Sequence, residues 1–190
     1  NRARGVMILI NKSIDCSVKH ICTDEQGRYI IARCNIDGMN VVLCNVYAPN
    51  EEMSHLAFLE KLRSDLINFT NEDDDKFIVG GDLNFVTDVS KDRSGGNPHI
   101  WKRSVTIWEG FCELYDLIDI YRAKHPEKLA FTWRWRTPSI IQSRLDRFYI
   151  SDILQSNTKT TDIIPGIKSD HSAITLEIDQ DVNWERGSGQ

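Results

Sequence analysis

Four times along this 190-residue chain a short apolar run abuts a cluster of polar side chains. The stretches are NVYAPN (45–50), FIVGGDLN (77–84), SRLDRFYI (143–150) and KSDHS (168–172), the last followed by AITLEI. Runs this short, rich in β-branched residues and bounded by Gly, Pro and Asp, read as strands; helices need longer apolar patterns. Strands packed side by side bring their ends to a common edge. A fold that satisfies all four stretches is therefore a layered sheet with polar groups gathered along one rim.

Further strands are expected at 5–10 (GVMILI), 29–36, 41–48, 77–81, 147–150, 163–167 and 172–178. Within 29–36, Ile30, Ala32, Cys34 and Ile36 alternate with Arg33 and Asn35, the half-buried pattern of period two. Asp37-Gly38 then marks a hairpin turn into the next run. Two segments have helical spacing. Leu56, Leu59, Leu62, Leu66 and Phe69 form one stripe within 54–69; Trp101, Val105, Trp108, Phe111, Cys112 and Tyr115 form another within 101–117. Both stripes are read as core. Strands with two main helices and no strict βαβ alternation predict an α+β layered sandwich with mostly antiparallel sheets. The domain is expected over 1–180, with 181–190 as a polar tail or linker.

Asn71 to Asp75 is a run of charge read as a solvated loop, since adjacent carboxylates in a turn point apart. The net charge of −5 argues against a polyanion binder that relies on bulk charge. It leaves room for a local basic flank, and Arg134, Arg136, Arg144 and Arg147, beside aromatics, are the place to look. No apolar run approaches the roughly 18 residues needed to cross a bilayer, so no membrane partner is expected. The five cysteines form no C-x-x-C pair. Cys16, His20 and Cys22 fit a metal less well than they fit a reduced intracellular domain, of nucleus and cytoplasm.

Each polar end has a plain explanation. Asp82 and Asn84 suit a turn cap, Asp170 suits an N-cap and His171 a surface histidine. Asp146 between two arginines suits an ion pair, and Tyr47 suits packing on Pro49. Taken together and in order, however, VYAPN (46–50), GGDLN (80–84), SRLDRFYIS (143–151) and SDHS (169–172), with FTW (131–133), resemble the endonuclease/exonuclease/phosphatase (DNase I-like) superfamily. The endonuclease domain of LINE-type non-LTR retrotransposons is the nearest likeness, over residues 5–178.

The resemblance implies a four-layer α/β/β/α sandwich and a divalent cation, Mg²⁺ or Mn²⁺. It assigns Asp82 to the attacking water, Asn84 to that water and the phosphate, and Asp170 to the metal. His171 would donate to the transition state, with Asp146 holding its imidazole, and Tyr47 would contact the phosphate. Thr132, Arg134 and Ser169 would touch the substrate. The family also carries an Asn and a metal-binding Glu on strands that precede the one expected at 5–10, so the sequence as given, N-terminally truncated by that comparison, lacks both. Three functions are weighed: a DNA-nicking endonuclease acting on double-stranded DNA beside a reverse transcriptase domain in one polyprotein, a phosphatase of small or lipid phosphoesters, and a catalytically dead nucleic-acid binder.

Overall fold

A computed structural model describes residues 5–69, 75–97, 100–136, 138–166 and 168–179. The expected tail at 181–190, most of the charge run and part of the loop before residue 100 lie outside the described residues.

The chain enters through β1 (Cys16–Thr23) and β2 (Tyr29–Ile36) into β3 (Met39–Tyr47), all antiparallel. Asp37 and Gly38 link the last two with φ of 48° and 86°, the left-handed pair that a two-residue hairpin requires. A helix, α1 (Glu52–Phe69), then crosses over so that β4 (Lys76–Asp82) lies parallel to β3. After the short α2 (Val89–Asp92) and β5 (Arg93–Ser94) come α3 (Lys102–Leu114), β6 (Leu117–Asp119) and α4 (Ile120–Lys124). Asp116, with φ of 48°, ends the α3 segment three residues before the expected boundary and turns Leu117 into a strand. Next, β7 (Trp133–Trp135) and β8 (Ile141–Ser143) form a hairpin, and β9 (Asp146–Ser151) returns to the main sheet. Finally β10 (Thr158–Ile164) and β11 (Ala173–Ile178) pair with each other.

The main sheet runs β1-β2-β3-β4-β9-β6, and only its β3–β4 pair is parallel. Its two faces are buried against different layers. Tyr29, Ile31, Val42, Cys44, Val79 and Tyr149 meet Leu59, Leu62 and Leu66 of α1 and Trp108 and Phe111 of α3. On the other face, Ile78, Phe148 and Ile150 meet Leu176 and Ile178 of β11. Each fully buried Leu or Ile contributes about 1.5–3 kcal/mol, so this pair of interfaces holds the sheet as the middle layer. The expected α+β class and largely antiparallel pairing hold.

Four expectations change. Residues 5–10 form no strand; Met7 and Leu9 are exposed, and the segment is tied to the sheet by the Asn45 side-chain amide donating to the Met7 carbonyl (3.0 Å). β2 is buried on both faces, because Tyr29 and Ile31 turn toward the helices while Arg33 pairs with Asp75 at 3.0 Å. Asp75 is accordingly buried rather than solvated. Arg144 and Arg147 are also inside, at 1% exposure each, and cannot serve as a basic flank. Arg144 donates to Asp92 through Nε (2.7 Å) and Nη2 (3.0 Å), and to Asp119 through Nη1 (3.1 Å) and Nη2 (2.6 Å).

A candidate active site at the rim of the main sheet

Strand register places the first three site residues. Tyr47 of β3 stands opposite Asp82 of β4, and Asp82 stands opposite Asp146 of β9. Neighbouring strands lie about 4.8 Å apart, so the backbone ladder alone sets these residues in one row. Two glycines allow the row to form. A Cβ on Gly80 would stand 2.5 Å from the Phe148 ring, and one on Gly81 would stand 2.0 Å from the Val46 carbonyl oxygen. Gly81 also has φ of 132°, which a side chain resists.

Asn84 takes a left-handed φ of 53°, tolerated by Asn, and so folds back over Asp82. Its main-chain N–H donates to Asp82 Oδ1 (2.9 Å). Its amide nitrogen donates to the Ala48 carbonyl (2.8 Å) and to Asp82 Oδ2 (3.2 Å). Both amide hydrogens are thereby engaged within the protein, so Asn84 meets water through Oδ1, an acceptor. Beneath this loop His55 of α1, fully buried, bridges the Leu83 carbonyl (2.8 Å to Nε2) and Ser104 Oγ of α3 (3.0 Å to Nδ1). A carbonyl only accepts, so Nε2 carries the proton and Nδ1 accepts from Ser104. Burial holds the His55 pKa below its ordinary value, in keeping with a neutral ring.

His171 reaches the row from the loop before β11. Its Nδ1 lies 2.8 Å from Asp146 Oδ2. That hydrogen bond is the main reason its pKa is raised, and it outweighs partial burial. An imidazolium held this way keeps Nε2–H free to donate. Asp82 is shifted upward to about 6, first by burial and next by the charge of Asp146, against the pull of the Asn84 N–H. One ligand atom from each of Asp82, Asp146 and His171 lies within 4.8 Å of the others. Two carboxylates crowded at this distance, one of them resisting ionisation, favour a positive charge between them. Hard divalent cations prefer carboxylate oxygens, so Asp82 and Asp146 have the chemistry to hold one.

The remaining expected site residues divide. Asp170 is not part of that cluster; its Oδ2 accepts from the Trp133 indole N–H (3.1 Å) and its carbonyl from Arg134 N–H (3.0 Å). The Trp133 indole thus takes one lone pair of a carboxylate expected to serve a metal directly or through water. Ser169 Oγ accepts the His171 N–H (3.0 Å), shaping the turn, and lines a cleft of about 520 Å³. Arg134, Arg136 and Lys168 line the same cleft beside His171, with Trp135 half exposed among them. Thr132 is corrected outright. It is fully buried, and its Oγ1 accepts the N–H groups of Leu145 and Asp146, both at 2.9 Å. A side chain so enclosed has no surface to offer a substrate.

Sequence reasoning missed His55, Asp92, Asp119 and the Trp133–Asp170 contact. The one available signal was His55 itself, a polar residue four positions ahead of Leu59 on an otherwise apolar stripe.

Residues 1–171 match the sequence pattern described as the Endonuclease/Exonuclease/phosphatase family. The chain belongs to this family. Among curated relatives, the transposon TX1 uncharacterized 149 kDa protein of Xenopus laevis is 31% identical over 175 residues. That stretch is 92% of this chain but 13% of the Xenopus protein. Among solved structures, an AP endonuclease from Archaeoglobus fulgidus superposes with a TM-score of 0.66 at 18% identity, covering 86% of this chain and 72% of its own. The endonuclease domain of TRAS1, a telomere-specific non-LTR retrotransposon, gives a TM-score of 0.64 at 14% identity, covering 92% and 73%. At such identities these two superpositions speak for the fold, and the family membership agrees with the expected resemblance.

Proposed function

We propose that this family member is a divalent-metal-dependent phosphodiesterase that nicks double-stranded DNA, leaving 3′-hydroxyl and 5′-phosphate ends. The observation that carries the reading is the Asp146–His171 hydrogen bond at 2.8 Å with Asp82 beside it in the same row. Hydrolysis needs a base for water and positive charge where the phosphate gathers negative charge, and the two sides of the row offer one each.

Asp82, once ionised, accepts the proton of the attacking water. Asn84 Oδ1 accepts a hydrogen bond from that water and fixes its direction. On the other side His171, kept protonated by Asp146, donates from Nε2 to an oxygen of the phosphorus centre. Tyr47, partly exposed at the end of the row, donates its hydroxyl to a neighbouring phosphate oxygen. Mg²⁺ or Mn²⁺, which the carboxylates of Asp82 and Asp146 would hold, would supply charge neutralisation at the phosphate. Arg134, Arg136, Lys168 and Ser169 line a cleft beside His171 that suits the backbone of the cut strand.

The kinship with a transposon protein supports the finer reading: the nick primes reverse transcription, carried out by a reverse transcriptase domain in the same polyprotein, inside the cell. A supercoiled-plasmid assay with Mg²⁺ tests the core of it. Relaxed circles form with the wild-type chain, and Asp82→Ala and His171→Ala each lower the rate about 10²–10³-fold, the usual effect of losing one stabilising group. Release of phosphate from small esters without nicking replaces the reading with a phosphatase, and DNA binding with neither activity replaces it with a binding module.

A further inference from the structure

We infer that Thr132 is a positioning residue whose side-chain oxygen fixes the start of β9, and with it the meeting of Asp146 and His171. The inference rests on the reading of that pair as working parts of a hydrolase.

Thr132 is bonded to both segments that carry the pair. Its N–H donates to the Ser143 carbonyl (3.0 Å), and its carbonyl accepts the N–H of Ser172 (2.6 Å), the residue after His171. Its Oγ1 accepts two consecutive main-chain N–H groups, those of Leu145 and Asp146. One hydroxyl oxygen has two lone pairs, so this acceptor is fully used. The next residues extend the contact: Trp133 bridges to His171, and Arg134 N–H reaches the Asp170 carbonyl.

The segment from Ser143 to Asp146 leaves β8 and enters β9 within two residues, Arg144 and Leu145. Arg144 anchors it from one side through Asp92 and Asp119, and Thr132 anchors it from the other through the backbone of Leu145 and Asp146. Arg144 sets where the chain lies. Thr132 sets the peptide plane from which the Asp146 side chain departs, and so its approach to His171 Nδ1. Thr132 is buried completely and takes no part in binding DNA.

Thr132→Val keeps the shape and deletes the acceptor, while Thr132→Ser keeps the acceptor and deletes a methyl group. In the nicking assay the valine form loses about 10²-fold in kcat, as misplacement of a reacting group by about 1 Å does, with KM for DNA unchanged. The serine form recovers to within about threefold of wild type on the same scale. Crystal structures of both forms, without metal or DNA, give a readout independent of activity. The His171 Nδ1–Asp146 Oδ2 contact lengthens past hydrogen-bond range in the valine form and stays intact in the serine form. NMR signals of the Leu145 and Asp146 amides move upfield in valine alone. If valine prevents folding, Thr132→Cys, with its weak acceptor, takes its place. A valine form with wild-type kcat and an intact contact overturns the inference, as does a serine form as impaired as valine. Absence of nicking by the wild-type chain refutes the proposed function, and the structures and amide signals then decide Thr132 on their own.

Discussion

Replacing Arg144 with Met removes a buried guanidinium while preserving much of its volume. Asp92, at 1% side-chain exposure, and Asp119, at 15%, together lose four hydrogen bonds of 2.6–3.1 Å. Breaking a buried pair from one side costs about 3–5 kcal/mol, because the orphaned charge stays desolvated. Asp92 is not wholly orphaned, since Arg122 Nη2 remains at 2.6 Å and Arg147 Nη2 at 3.6 Å. The loss should therefore fall near the lower end, about 3 kcal/mol. With a urea m-value of about 2 kcal/mol/M, the unfolding midpoint drops by about 1.5 M at unchanged m. Fluorescence-monitored urea unfolding at pH 7 measures this directly. Arg144→Lys offers no fork and reaches only one carboxylate, so it recovers less than half of the loss. A midpoint drop below about 0.3 M for the Met form would refute the view that this cluster holds the β8–β9 junction.

Two further outcomes follow from the site. Asp82 has its pKa raised, so its folded form binds a proton more readily than its unfolded form, and the stability this contributes is complete below about pH 4 and lost as pH rises to about 6. Without divalent cations, the stability of wild type relative to Asp82→Asn should accordingly fall across that window; a flat difference from pH 4 to 7 in urea titrations contradicts the assignment. Arg134→Ala should weaken DNA binding uniformly across sequences and reduce the slope of log K against log salt by about one, read by fluorescence anisotropy; an unchanged slope removes Arg134 from the phosphate contacts.

What the sequence disclosed and what it withheld have a common physical cause. The strand ends that carry Tyr47, Asp82, Asn84, Asp146 and His171 were legible because each hydrophobic pattern is local, but choosing these five residues took the family resemblance. Ladder register aligns Tyr47, Asp82 and Asp146, and side-chain hydrogen bonds bring in Asn84 and His171. The Asp37-Gly38 hairpin and both main helices were legible for the same local reason. Arg144 and Arg147 were misjudged because their burial depends on Asp92, more than fifty positions away, and no periodicity signals such a partner. Thr132 was misplaced on the surface because a Thr beside two Trp and two Arg has the composition of a binding loop. Residues 5–10 have the pattern of a strand, yet pattern alone cannot supply a neighbour to pair with. β1 escaped notice because it is an edge strand, mostly exposed and broken by a bulge between Val18 and His20.

The ladder that aligns Tyr47, Asp82 and Asp146 has a consequence for how this rim tolerates change. Distances among these groups derive from interstrand spacing, so lengthening the β7–β8 turn or the segment ahead of α3 leaves the row intact. Deleting a single residue within β4 does the opposite. It shifts the strand by one pleat, sends the Asp82 carboxylate through to the opposite face, and dismantles the row without touching any of its members.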